Sequence, residues 1–319
     1  MATPLALPAT AVKPSRTQAG DTVARLIVLA FAASILLITL ILVRELWVSS
    51  ELSRHKFGLK FLFSSAWNPV TEDFGALPFL YGTAVTSLVA MLLAVPLGVG
   101  VAIFLSELAP PRISNSFTFL IELLAAIPSV VYGVLGLFTL VPLMRDHIEP
   151  FLKETLGFLP MFQGTVFGLD FLTAGVVLAI MTIPYIISVS RESLLAVPRE
   201  QREAALALGA TRWETTAQIV VPYARLGIYG SVFLGLARAL GETMAVTMVI
   251  GNDPKIHASL LAPGYSIAAV IANEFSEATT AMYQSALVEL GLVLFLLTIV
   301  INALARLMIM ATTGKGSKR

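Results

Sequence analysis

No cysteine occurs among the 319 residues. That absence removes disulfides, thiolate metal sites and cysteine nucleophiles together. Histidine is scarce as well: His55, His147 and His257 stand far apart, without the close spacing that metal ligation needs. Charged residues make up only 13% of the chain, against 57% hydrophobic and a mean hydropathy of +0.85. A soluble domain of this length would not carry that balance. The phosphate-cradling pattern Gly-x-x-x-x-Gly-Lys-Ser/Thr is missing, so the chain has no means of its own to hydrolyse a nucleotide. No solenoid-type repeat is present, and nothing points to a nucleic-acid partner.

What the chain does have is long uncharged runs. The 33 residues between Asp73 and Glu107 carry no charge, and Leu26–Val43, Leu123–Met144 and Phe171–Ser190 are similar. A helix needs roughly 20 apolar residues to cross a bilayer, so each reads as a span. Two more, about Tyr223–Ile250 and Tyr283–Met310, are interrupted by single charges. The expectation is an all-α integral membrane protein with six transmembrane helices in a lipid bilayer.

Charge placement gives the orientation. With both ends inside, 13 of the 21 Lys and Arg fall on the inner side and seven outside, Arg238 remaining in the membrane. That bias favours N-in, C-in. The expected organisation is a disordered cytoplasmic tail over residues 1–22, a six-helix transmembrane domain over 23–311 with a cytoplasmic loop at about 191–217, and a second cytoplasmic tail over 312–319. The first apolar run is long and ends in Trp47-Val48 rather than in small residues, which reads as an uncleaved span. The outer connections are too short for independent domains. Ser266–Glu277 reads as a capping helix with Ile267, Val270, Ile271 and Phe275 on one face.

Pro96, Pro128, Pro142 and Pro184 lie within or near the apolar runs. Proline frees a backbone carbonyl that lipid cannot satisfy, so such kinks should face other helices or water. Arg238 and Glu242 are the intramembrane charges. Their spacing of four predicts one helix face and either a structural ion pair or a site. A charge at that depth costs at least about 2.5–3.5 kcal/mol, which asks for a reason. In the functional reading Arg238 offers its planar fork to a tetrahedral oxyanion, and Glu242 holds and releases the guanidinium. Glu122 and Glu289 are weaker pathway candidates.

The most patterned stretch is polar. Pro198 should open a short helix whose apolar side is Ala204, Ala205, Leu206 and Leu208, and Gly209 should end it. Thr211 and Glu214 fit a capping box that starts a further helix running towards Pro222. By composition alone this could be an amphipathic helix lying on lipid.

The pattern Glu203-Ala204-Ala205, three residues, Gly209, nine residues, Ile219 and then Pro222 resembles the docking loop of importer-type ABC permeases. Val221 stands where that family usually has Leu. Arg238-Ala239-Leu240-Gly241-Glu242-Thr243-Met244-Ala245-Val246-Thr247 and Leu123 to Gly133 resemble spans of phosphate-specific permeases, and of their C-type subunit in particular. Glu107-Leu108-Ala109-Pro110 and Ala272-Asn273-Glu274-Phe275 are similar to further segments. The resemblance implies the type I importer permease fold in a bacterial inner membrane. It implies an A-type permease partner, two cytoplasmic ATPase subunits and a periplasmic phosphate-binding protein. It makes Arg202, Glu203, Ala204, Ala205 and Gly209 the ATPase-coupling residues, and Arg238 and Glu242 the pathway for inorganic phosphate. No cofactor is then bound by this chain, ATP-Mg being used by the partner ATPase. Two alternatives stay open: the same architecture importing molybdate, sulfate or phosphonate, and an ion-coupled secondary transporter with Glu122, Glu242 and Glu289 as a proton relay.

Overall fold

The computed structural model describes residues 17–313, almost all helical. Among the described residues six helices are long and apolar enough to cross a membrane: Gly20–Ser49, Leu77–Leu108, Ser129–Leu156, Phe171–Leu195, Arg212–Gly241 and Ala281–Leu307. They are called the first to sixth spans below.

The chain divides into two compact units, Met1–Val48 and Ser49–Arg319. In the first unit one helix starts at Thr17, inside the stretch expected to be a tail. No proline follows Pro14 there, and the helix runs straight into the apolar segment. The remainder of that expected tail lies outside the described residues, as do residues 314–319. Side chains such as Leu26, Phe31, Leu36 and Leu40 are exposed along it, as befits a helix whose solvent is lipid.

In the second unit the fourth span is the most buried of the six candidates and packs against both the second and the fifth. Ala90, Ala94, Ala174, Leu178 and Met181 form the heart of this contact. Small residues allow close approach where lipid tails supply no hydrophobic drive. Ile186 is met from both sides. A Cβ added to Gly98 would lie 2.8 Å from its Cγ2, and one on Gly235 3.0 Å from its Cγ1. A side chain at either position would press on Ile186, more severely at Gly98.

Two spans differ from their expected form. The run Leu123–Met144 is not one helix. A helix Pro111–Ala126 ends at Ile127 and Pro128, both extended (ψ 129° and 142°), and a new helix starts at Ser129. Proline pushes its predecessor out of the helical region, which sets the break at Ile127. The run Tyr223–Ile250 is also divided. The fifth span stops at Gly241, Glu242 is extended (φ −70°, ψ 128°), and a short helix Met244–Val249 follows. Glycine is a weak helix residue, and the Glu242 carboxylate accepts from Ala245 N at 3.4 Å, satisfying an amide at the start of the next helix.

At the end away from the Glu203 loop, helices Glu51–Phe57 and Ile267–Glu274 cover the bundle. Ser266 caps the latter by accepting from Ala269 N at 3.2 Å, and Ile267 and Val270 are fully buried as expected, while Phe275 is exposed. Trp67 lies edge-on to Phe74 and Phe79, with centroids 4.9 and 4.6 Å away. Glu274 accepts from Trp67 Nε1 at 2.8 Å and from the Tyr283 hydroxyl at 2.5 Å, tying the outer helix to the sixth span.

Candidate functional site

The polar loop folds as an elbow of two helices. Arg199–Ala207 starts after Pro198, and its end is a double backbone closure. Gly209 N donates to Leu206 O at 3.0 Å and Ala210 N to Ala205 O at 3.2 Å, the two bonds of a Schellman motif. Gly209 has φ +89°, where an L residue is strained. The next helix begins with the expected capping box: Glu214 N donates to Thr211 Oγ1 at 3.3 Å, and Thr211 N to Glu214 Oε2 at 2.8 Å.

The two arms enclose an open groove of about 600 Å³ lined by Ala204, Ala205, Leu208, Glu214 and Ile219. Glu203 is exposed. Leu206 is 46% exposed, Leu208 90% and Trp213 61%, so the elbow presents large apolar side chains outward. Arg202 does the opposite. Its Nε and Nη2 meet Glu107 Oε2 and Oε1 at 3.2 and 2.9 Å. It also donates from Nη2 to Leu194 O at 2.7 Å and from Nη1 to Val197 O. The sequence pattern groups Arg202 with Glu203, yet the structure turns it towards the bundle.

Arg238 and Glu242 do not share a helix face, because the helix ends between them. Among the described residues no ion pair joins Arg238 to an acid. Its guanidinium instead lies over the Tyr185 ring, 4.2 Å from the centroid, and its Nε is buried without a hydrogen-bond partner. Tyr185 donates its hydroxyl to Ala125 O at 2.8 Å, and Tyr132 donates to Leu124 O at 2.8 Å. The Ala125 carbonyl loses its helical donor at the break before Ser129, whereas Leu124 O also accepts from Ile127 N at 3.2 Å. The two tyrosines escape a reading based on charge alone. The available signal is that a buried hydroxyl must find a partner, and the helix broken by Pro128 supplies one.

Glu122 is exposed on the helix Pro111–Ala126, beside a small recess shared with Arg191 and Glu192. Glu289 is buried in the sixth span with Oε2 unpartnered, on the stretch that packs against Glu51–Phe57. Neither is hydrogen-bonded to Arg238 or Glu242, so the four charges form no continuous relay. The structure adds a buried acid pair that no sequence motif marks: Glu149 and Asp170 are both fully buried. Thr173 N donates to Asp170 Oδ1 at 2.8 Å, and Gly168 N to Glu149 Oε2 at 3.2 Å.

Residues 94–311 match the family described as the inner membrane component of binding-protein-dependent transport systems. Over 292 residues, 89% of each chain, the sequence is 47% identical to the phosphate transport system permease protein PstC of Mesorhizobium japonicum. It is 47% identical to PstC of Haemophilus influenzae across 88% of this chain and 90% of that one. The chain belongs to the phosphate transport system permease family. A further member, PstC 2 of Mycobacterium tuberculosis, is 38% identical across 94% of both chains. Among solved structures, the fold is shared with the MetNI methionine ABC transporter in an inward-facing conformation (TM-score 0.54, 16% identity, 77% of this chain and 99% of that one). It is also shared with a bacterial ABC transporter for the acidic polysaccharide alginate (TM-score 0.50, 16% identity, 91% and 98%). The family is one of transport permeases, and this multi-pass membrane chain is a transport subunit rather than an enzyme.

Proposed function

We propose that the chain is a membrane-spanning half of an ATP-driven importer of inorganic phosphate in a bacterial inner membrane. Its partners in that reading are a paralogous A-type permease, two cytoplasmic ATPase subunits and a periplasmic phosphate-binding protein. ATP-Mg is consumed by the ATPase, and this chain binds no cofactor. The elbow at Glu203 and Gly209 is the seat of the ATPase. Its outward Leu206, Leu208 and Trp213 support that assignment, an exposed apolar patch being the mark of a partner surface.

Arg238 is the observation that carries the choice of cargo. A guanidinium within a span, with a buried unpartnered Nε and no carboxylate bound to it, is poised for an anion. Its stack on Tyr185 is worth about 2 kcal/mol when desolvated. Charge-assisted hydrogen bonds to an oxyanion contribute about 1.5–3 kcal/mol each. Two such bonds to a tetrahedral anion exceed the stack by about 1–4 kcal/mol. The margin is what lets the anion leave again, and a conducting site needs both entry and exit. Glu242 keeps the amide end of Met244–Val249 in place next to this route. Glu122 and Glu289 lie off it.

ATP binding closes the two ATPases, the elbows move with them, and the permeases rock to expose their interface to one side and then the other. The test is uptake by the co-expressed assembly in proteoliposomes, loaded with ATP and challenged with molybdate, sulfate or phosphonate as competitors. Phosphate uptake that requires ATP and resists those competitors is the expected result. Arg238→Gln should abolish it while the assembly still forms. Uptake by this chain alone without ATP would overturn the reading.

A further inference from the structure

Arg202 is the best-connected charged side chain of the elbow, and all of its hydrogen bonds point into the bundle. The pair with Glu107 is bidentate, and the two side chains are only 20% and 10% exposed. Glu107 lies in the last turn of the second span, Phe104–Leu108, wound as a π-helix. Leu194 and Val197, whose carbonyls also receive Arg202, close the inner end of the fourth span. One guanidinium thus binds the elbow to the ends of two spans at once. The elbow's backbone joins the fourth span through residues 196–198 and runs on through Thr216–Val220 into the fifth, so the second span is reached by the side chains alone.

We infer that Arg202 and Glu107 form the brace through which movement of the elbow is delivered to the second span. This rests on the elbow being the seat of the ATPase, as proposed above. Without the brace, the elbow would pull only on the fourth and fifth spans, to which its own backbone is joined. With it, a displacement of the loop helix is imposed on the second span as well. A buried bidentate pair is suited to this, because its geometry is fixed and breaking one partner leaves a desolvated charge.

The route onward is short. Glu107 and Gly98 are nine residues apart on one span, about 13 Å along a helix. Gly98 rests on Ile186, and so does Gly235 from the fifth span. Tyr185 precedes Ile186, and Arg238 follows Gly235 by three residues. The brace therefore acts on the packed point that adjoins the guanidinium stack. Arg202 and Glu107 are positioning residues, since neither reaches the anion.

The experiment uses the complete assembly in proteoliposomes and reads phosphate taken up per ATP hydrolysed. Glu107→Gln and Arg202→Gln should each lower that ratio about tenfold, the effect of removing one member of a coupling network, while ATP hydrolysis continues. Arg202→Lys keeps one charge-assisted bond and should recover part of the ratio. The exchanged pair Glu107→Arg with Arg202→Glu should recover more of it than either single reversal. A merely structural pair would lower uptake and hydrolysis in parallel, with less assembly in the membrane, and that result would overturn the inference. An unchanged ratio in every variant would overturn it as well. Glu203→Ala serves as the reference: if it too leaves the ratio unchanged, the seat of the ATPase has been misplaced. If it uncouples while the brace variants do not, only the brace is wrong.

Discussion

Tyr185 holds the guanidinium of Arg238 4.2 Å above its ring and gives its own hydroxyl to the carbonyl of Ala125. A single side chain thus settles a buried cation and an orphaned backbone acceptor from a different helix. The two roles can be separated by substitution. Tyr185→Phe keeps the ring and leaves the carbonyl unpaired, a cost of about 1–3 kcal/mol in stability. Tyr185→Leu removes the stack as well. Phosphate uptake should survive in the first variant. In the second, a guanidinium with no resting partner should hold the anion longer, and turnover should fall roughly thirtyfold, by the strength of the lost stack. Equal turnover in the two variants would show that the ring does not govern release.

The acid pair at the outer end makes the protein sensitive to alkali. Burial, helped by the neighbouring Glu149 carboxyl, pushes Asp170 up to about 8, against the Thr173 amide that favours its charged form. The unfolded chain would release this proton near the ordinary carboxylate value. Between those two values the folded state holds more protons, so stability is greatest at low pH and falls as pH rises towards 8. Asp170→Asn stays neutral and should flatten that slope, raising the melting temperature at pH 8 by several degrees while changing it little at pH 4. Melting curves of purified protein across this range decide the matter, and a slope unchanged in the variant would refute the assignment.

Gly209 gives a test of the elbow's shape. At φ +89° a side chain costs about 1–2 kcal/mol, with no neighbour within 4 Å to clash. Gly209→Val should therefore insert and assemble, yet reduce ATP-driven uptake by re-angling the arms. Glu203→Ala, which leaves the turn intact, should uncouple uptake without that backbone cost. Normal uptake in both would show that the elbow transmits nothing.

Glu274 anchors the opposite end. It receives Trp67 and Tyr283 together, so Glu274→Ala strands two donors and should destabilise the protein by about 2–3 kcal/mol. Glu274→Gln retains an acceptor and should lose less. Comparing thermal denaturation of the two variants tests whether this carboxylate ties the outer helices to the sixth span.

Features written in short local patterns are legible in the amino-acid sequence itself. Gly209, Thr211 and Glu214 act within five or six residues of backbone, and the capping box and turn form where the pattern places them. The six spans among the described residues follow from the length and apolar composition of their runs. The spacing of Arg238 and Glu242 misleads, since an interval of four implies a common face only while the helix continues. The break at Gly241 has no proline to announce it. Arg202 shows the complementary failure. Adjacent residues on a helix point about 100° apart, so Arg202 and Glu203 can serve opposite surfaces, and only the position of Glu107 95 residues earlier decides which. Tyr185 and Tyr132 are silent in the sequence because the carbonyls that hold them are created by a break in another helix.

Trp213 carries a practical consequence. It is exposed on the elbow, whereas Trp67 is boxed in by phenylalanine rings at the far end and Trp47 lies on the first span. The indole emission of the protein therefore contains a component native to the elbow. A partner settling there would dim or blue-shift it, with no label attached and no residue replaced.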